Sequence, residues 1–243
     1  YSQQTTWNMI EKPWNGFCAR PTFLERYAAT DVRGPGNEGL GTNNTKQWGW
    51  FVGPIYDAKG EKLLKDENNN DAIIRPEIKS LDEAQWWDGG RMMKYEIDKE
   101  KKYAFCENDF VLLRYADVLW MKEEAILRGG AGVSGATTPD FQRMLKRAFA
   151  YDATPAISYE TAYPTALTLN GILDERGREF AWENMRRRDL IRFGKFNDPT
   201  YVQYVLGTEA YRKWFPIPYS VLEKSQRDEQ GNPIWTQNPG YSN

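Results

Sequence analysis

Hydrophobic and polar positions alternate without a lasting period over the first hundred residues, then settle into helical spacing. In the irregular part, Pro, Gly and Asn recur in Lys12–Gly16, Arg33–Thr45 and Asp66–Asp71, and each of these residue types favours turns for its own backbone reason. A helix is predicted over Thr22–Ala29, and strands over Trp48–Val52 and Arg91–Ile97. From Asp109 a helix is predicted to Arg128, with Asp109 as N-cap and Gly129-Gly130 as the stop. Its apolar stripe runs through Leu112, Ala116 and Leu119, with Glu123 in line and Tyr115, Val118 and Ile126 alongside. A second helix follows over Pro139–Ala150 beyond a Gly-rich loop. In the region 169–194, Ile172, Leu173, Phe180 and Ala181 share a face. Asn184 suits a left-handed break before a further helix over Met185–Phe193, which Gly194 ends. After it the Pro-bearing stretches Phe215–Leu222 and Asn232–Asn243 permit only short turns of helix.

The pattern predicts one mainly α domain over residues 1–243, loop-rich over 1–105 and helical over 106–243. With 243 residues the chain can bury a sizeable core without disulfides or metal. Cys18 and Cys106 can pair in an oxidising compartment or remain as two buried thiols. The chain starts at Tyr1 and carries no signal peptide, which reads as a fragment or a processed chain. No run of 18 apolar residues is present.

Composition narrows the chemistry. The chain has no histidine, which removes Ser-His-Asp and Cys-His catalysis and every His metal site. No metal site and no cofactor site emerges from the remaining residues. The net charge of −2 gives no general attraction for nucleic acid. The Arg186–Arg188 run is interleaved with acids, which further weakens a nucleic-acid reading. The oxygen-rich loop Asp66–Asp71 lacks the spacing of a calcium loop and reads as a turn. Aromatics make up 14% of the chain, with 10 Trp. Trp48 and Trp50 alternate on the first predicted strand, beside Asn43 and Gln47, and Trp86-Trp87 precede Gly89-Gly90. Flat apolar rings beside amides suit the faces and hydroxyls of sugars. These six residues (Asn43, Gln47, Trp48, Trp50, Trp86, Trp87) are the candidate ligand contacts. Trp120 and Trp182 lie in helical segments and read as packing.

The segment Leu173–Lys195 holds seven Lys/Arg and five Asp/Glu. Glu175, Glu179 and Glu183 recur every fourth residue and line one helical face. Such spacing suits either a carboxylate pair or an ion-pair ladder. Glu175, Arg178, Glu179, Arg186, Asp189 and Arg192 are predicted to form a structural ion-pair network. Gly177 is expected to cost this helix about 1 kcal/mol.

Four motifs then occur in a set order: GGRMMKY (Gly89–Tyr95), NDFVLLRYADVLWMKEEAI (Asn108–Ile126), DERGREFAWENMRRRDLIRFGK (Asp174–Lys195) and FPIPYSVL…QNPGY (Phe215–Tyr241). Together they resemble the C-terminal part of SusD/RagB nutrient-binding proteins. FLERYAATDVR (Phe23–Arg33) and MLKRAFAY (Met144–Tyr151) echo the family more loosely. The resemblance implies a mainly α fold of stacked helical hairpins with long irregular loops and minor β structure. It implies a non-catalytic lipoprotein on the outer-membrane surface of Bacteroidetes-type bacteria, anchored by an N-terminal lipid absent from this chain. Such a protein binds glycans, or in some members peptides, over a SusC-like TonB-dependent transporter. The rival reading is a glycoside hydrolase working through paired carboxylates.

Overall fold

A computed structural model describes residues 17–35, 49–57, 59–66, 68–80, 82–95, 108–149, 159–201 and 209–242. The chain divides into two compact units, Tyr1–Arg186 and Arg187–Asn243. The loop-rich stretch and the helices up to Arg186 therefore share one unit.

In the first unit, helix α1 (Pro21–Leu24) is followed by strands β1 (Gly49–Phe51), β2 (Gly53–Pro54), β3 (Ile73–Ile74) and β4 (Arg91–Met93). β1 pairs antiparallel with β4, Trp50 opposite Met92, and β2 pairs with β3, Gly53 opposite Ile74. Successive side chains on a strand point to opposite faces, and β1 uses both. Trp50 joins Ala19, Leu24, Tyr27 and Ala181. Phe51 joins Ile55, Ala72, Ile74 and Met93. The three-residue β1 thus separates two small apolar clusters.

Among the described residues, four helices follow in this unit: α2 (Tyr115–Leu127), α3 (Pro139–Arg147), α4 (Tyr159–Ala162) and α5 (Leu169–Glu179). α3 starts with Pro139 in its first turn, where a missing N–H costs nothing. Trp120 of α2 and Phe141 of α3 are fully buried and meet edge to face at 4.8 Å. α2 meets α5 through Asp117 and Arg176, 2.7 Å apart and both buried. The regular elements are thus mainly helical with minor sheet, as expected.

Several boundaries differ from expectation. α1 ends at Leu24, and β4 at Met93. α2 begins at Tyr115, and Asp109 does not cap it. Arg114, at the N-cap position, is extended with φ −145° and ψ 159°, and its guanidinium reaches across to Glu179 and Glu183. The face of α2 that is buried carries Ala116, Asp117, Trp120, Glu123 and Glu124. Leu112, Tyr115 and Val118 are exposed. Three acids take inward positions because each has a partner: Asp117 has Arg176, Glu123 has the Ser134 hydroxyl and the Gly135 amide, and Glu124 has Arg128. A reading that places every charge outward misses such a face.

The second unit begins within α6 (Arg186–Arg192) and adds a 3₁₀ turn over Ala210–Lys213 and helix α7 (Tyr219–Glu223). Here the two halves of the terminal motif bind each other. The Gln237 side chain accepts from the Ile217 amide at 2.8 Å and donates to the Ile217 carbonyl at 2.9 Å. Asn238 donates to the Phe215 carbonyl at 2.7 Å. Gly240, at φ 91°, lets the chain pass Tyr211, whose ring a Cβ would meet at 2.3 Å.

Candidate functional site

The charged segment is buried from Glu175 to Glu179. Thr168 caps α5 by accepting from the Gly171 amide. Gly171 is required there, because a Cβ would lie 1.8 Å from the Thr165 carbonyl. One helical turn apart, Glu175 and Glu179 face inward, and Glu183 follows from the succeeding turn; all three are buried.

Their partners come from every other part of this unit. Arg33 bonds Glu175 at 2.8 Å and Glu179 at 2.9 Å, and its far edge clasps Asp31. Arg178 grips the other oxygen of Glu175 and lies 3.7 Å from the centre of the Tyr163 ring. Tyr163 donates to Asp31 at 2.7 Å. Arg114 bonds Glu179 at 2.6 Å and Glu183 at 2.8 Å. Arg147 also reaches Glu179, and Lys94 reaches Glu183. Four carboxylates (Asp31, Glu175, Glu179, Glu183) thus meet five cations (Arg33, Lys94, Arg114, Arg147, Arg178). The two phenylalanine-facing guanidinium groups of Arg114 and Arg176 lie 4.6 and 5.0 Å from the Phe180 ring centre.

Burial pushes the Glu179 carboxyl up, but Arg33, Arg114 and Arg147 outweigh it and hold the group at about 2. Burial alone would weaken the Arg33 charge; Glu175, Asp31 and Glu179 reverse that and raise its pKa well above the ordinary value. Burial lowers the Lys94 pKa against the pull of Glu183. A charge lattice of this kind fixes geometry, because removing one member strands a buried opposite charge.

Of the six residues predicted for this network, Glu175, Arg178 and Glu179 come together here. Arg186 instead donates to the Leu173 carbonyl at 2.7 Å. Gly177 makes room for it: a Cβ there would lie 2.8 Å from the Arg186 guanidinium. Asp189 and Arg192 pair with each other at 3.2 Å in the second unit. Asp31, Arg33, Lys94, Arg114 and Arg147 were not among the predicted members. The available signal was that each sits inside one of the motifs or their looser echoes.

The candidate ligand residues separate. Trp50 is only 3% exposed, and its indole N–H is spent on the Tyr27 hydroxyl at 3.0 Å. It is a core ring, so the expectation that a ligand stacks on it is not met. Trp86 and Trp87 are half-buried against the Phe51 cluster and meet edge to face at 5.1 Å. Buried Arg91 ties their loop down by donating to the carbonyls of Trp86, Asp88 and Gly89. Asn43, Gln47, Trp48 and Cys106 lie outside the described residues. The Asp66 carboxylate accepts from the amides of Asn68 and Asn70, both at 2.8 Å, and so organises a turn. Among the described residues, no group of three or more acids and cysteines is placed to hold a metal ion, and no helix is long and apolar enough to cross a membrane.

Trp120 is fully buried, as expected of a packing residue. Trp182 is different. It lies beyond the end of α5, is 42% exposed, and has φ 68°. Asn184 has φ 58°, matching the predicted left-handed break.

The model of the SusD family matches residues 3–241. The chain is 31% identical over 145 residues to the starch-binding protein SusD of Bacteroides thetaiotaomicron. That match covers 57% of this chain and 22% of the relative's length, so the chain spans only a minor part of it. No solved structure matches. With nearly its whole length matched, the chain belongs to the SusD family.

Proposed function

We propose that this protein is a non-catalytic glycan-binding component of a nutrient-uptake system. The observation that carries the proposal is the family match over nearly the whole chain, with a starch-binding protein as a relative. In this reading the full-length protein sits on the outer-membrane surface through an N-terminal lipid. It delivers oligo- or polysaccharide to a SusC-like TonB-dependent transporter. The helices α2 and α3 form one of the stacked helical hairpins of the fold, and α5 packs on it.

The state of the carboxylates supports binding over hydrolysis. A glycosidase needs one carboxylic acid held protonated near neutral pH and a second free to attack or to activate water. Glu179 is held at about 2, and Glu175 and Glu183 are each saturated by arginine or lysine. All three are taken up as acceptors of charged donors and leave no pair of carboxylates facing an open space between them. Trp86 and Trp87 stay candidate contacts, as do Asn43, Gln47 and Trp48; Trp50 belongs to the core. A peptide ligand is the alternative within the same family.

Incubating the full-length protein with a panel of polysaccharides and assaying new reducing ends tests the claim. The expected result is retention of polysaccharide without turnover. Sustained turnover, abolished by replacing one carboxylate, would refute it.

A further inference from the structure

The residue left unexplained by the ion lattice is Trp182. A left-handed backbone is unfavourable for an L residue with a bulky side chain. Asn184 tolerates it through its short polar side chain; Trp182 has no such excuse. The turn that follows α5 carries such conformations at 182 and 184, and Gly or Asn would supply the one at 182 more cheaply.

The ring at this position is instead displayed. Trp182 meets Trp50 edge to face at 5.7 Å on its inner side. On its outer side it meets Phe17 edge to face at 6.2 Å, with ring planes 80° apart. Phe17 is 79% exposed. The two exposed rings stand nearly perpendicular, and Asn184 is exposed two residues on.

The pair stands on fixed supports. Trp50 is pinned by Tyr27. The backbone on either side of Phe180 is clamped by the lattice: Lys94 donates to the Glu179 carbonyl at 2.6 Å and to the Ala181 carbonyl at 3.2 Å, and Arg114 donates to the Glu179 carbonyl at 2.7 Å. Backbone strain persists only where surroundings over-determine it, and it concentrates at ligand sites.

We infer that Phe17 and Trp182 form a sugar-binding subsite in which a pyranose ring stacks its C–H face on one ring and its edge on the other. This rests on the glycan-binding reading above, and it adds a site that the Trp48 to Trp87 candidates do not include. The ion lattice then serves ligand binding indirectly, by holding the turn that projects Trp182.

The test uses the full-length protein, amylopectin and a panel of other soluble polysaccharides in affinity gels, with the variants Trp182→Asn and Phe17→Ala. Asn suits φ 68°, so Trp182→Asn is expected to unfold at or above the wild-type temperature. Both variants are expected to lose affinity about tenfold or more for whichever polysaccharide retards the wild type. Wild-type affinity in both variants would overturn the subsite while leaving the glycan-binding reading intact. Wild-type affinity in Phe17→Ala with a markedly lower unfolding temperature in Trp182→Asn would show a purely structural ring and also overturn it. A wild type that no polysaccharide retards would overturn the glycan reading and the subsite together.

Discussion

Replacing Glu179 by Gln removes one negative charge from among Arg33, Arg114 and Arg147 while keeping the shape of the side chain. The carboxyl titrates at about 2 in the folded protein against an ordinary value of 4.5. A depressed folded-state pKa stabilises the fold above the unfolded value and loses that effect as pH falls through the folded value. A difference of about 2.5 units corresponds to about 3 kcal/mol of stability at pH 7, shrinking to about 1 kcal/mol at pH 3. The loss falls between pH 4.5 and pH 2. Urea unfolding of the full-length wild type and Glu179→Gln at a series of pH values reads the gap directly. The variant is expected to be weaker by about 3 kcal/mol at pH 7, with the gap narrowing to about 1 kcal/mol at pH 3. A gap below about 1 kcal/mol at pH 7, or one of unchanged size at pH 3, would refute the lattice as a source of stability.

Trp50→Ala should destabilise the protein by about 3–5 kcal/mol, because it empties a ring's volume from a closed cluster; unchanged stability in urea with lost glycan affinity would return Trp50 to the ligand site. Gly177→Ala should forgo the roughly 1 kcal/mol that alanine normally adds to a helix, because its Cβ displaces Arg186 from the Leu173 carbonyl. In an Arg186→Ala background the same change should stabilise by about that amount, and equal effects in both backgrounds would show that the two residues do not interact.

The helix bodies were legible because apolar spacing and stop residues agree. Gly194 ends α6 at φ 69°, and Asn184 turns the chain before it. Helix starts were less so. Arg114 sits extended ahead of α2 because its partners lie at the end of α5 and in the turn after it, and no local pattern announces a partner 65 residues away. The inward Asp117 reverses the ordinary hydrophobic code for the same reason, because its partner Arg176 lies on α5. The three glutamates were legible as one helical face, and the motifs carrying their partners were visible, but not that they converge. Trp50 shows the limit most plainly. Strand alternation gives the side a ring faces, while the presence of Tyr27, Phe23 and Trp182 on that side is a tertiary fact. Trp182 shows the converse: helical context suggested packing, and a left-handed backbone turned the ring toward solvent.

The most direct test of the central claim is the migration of the full-length protein through native gels cast with individual polysaccharides. The account predicts retardation by at least one of them, with the polysaccharide in the gel left uncleaved. Unretarded migration in every gel, or a trail of degraded polysaccharide behind the band, would contradict it.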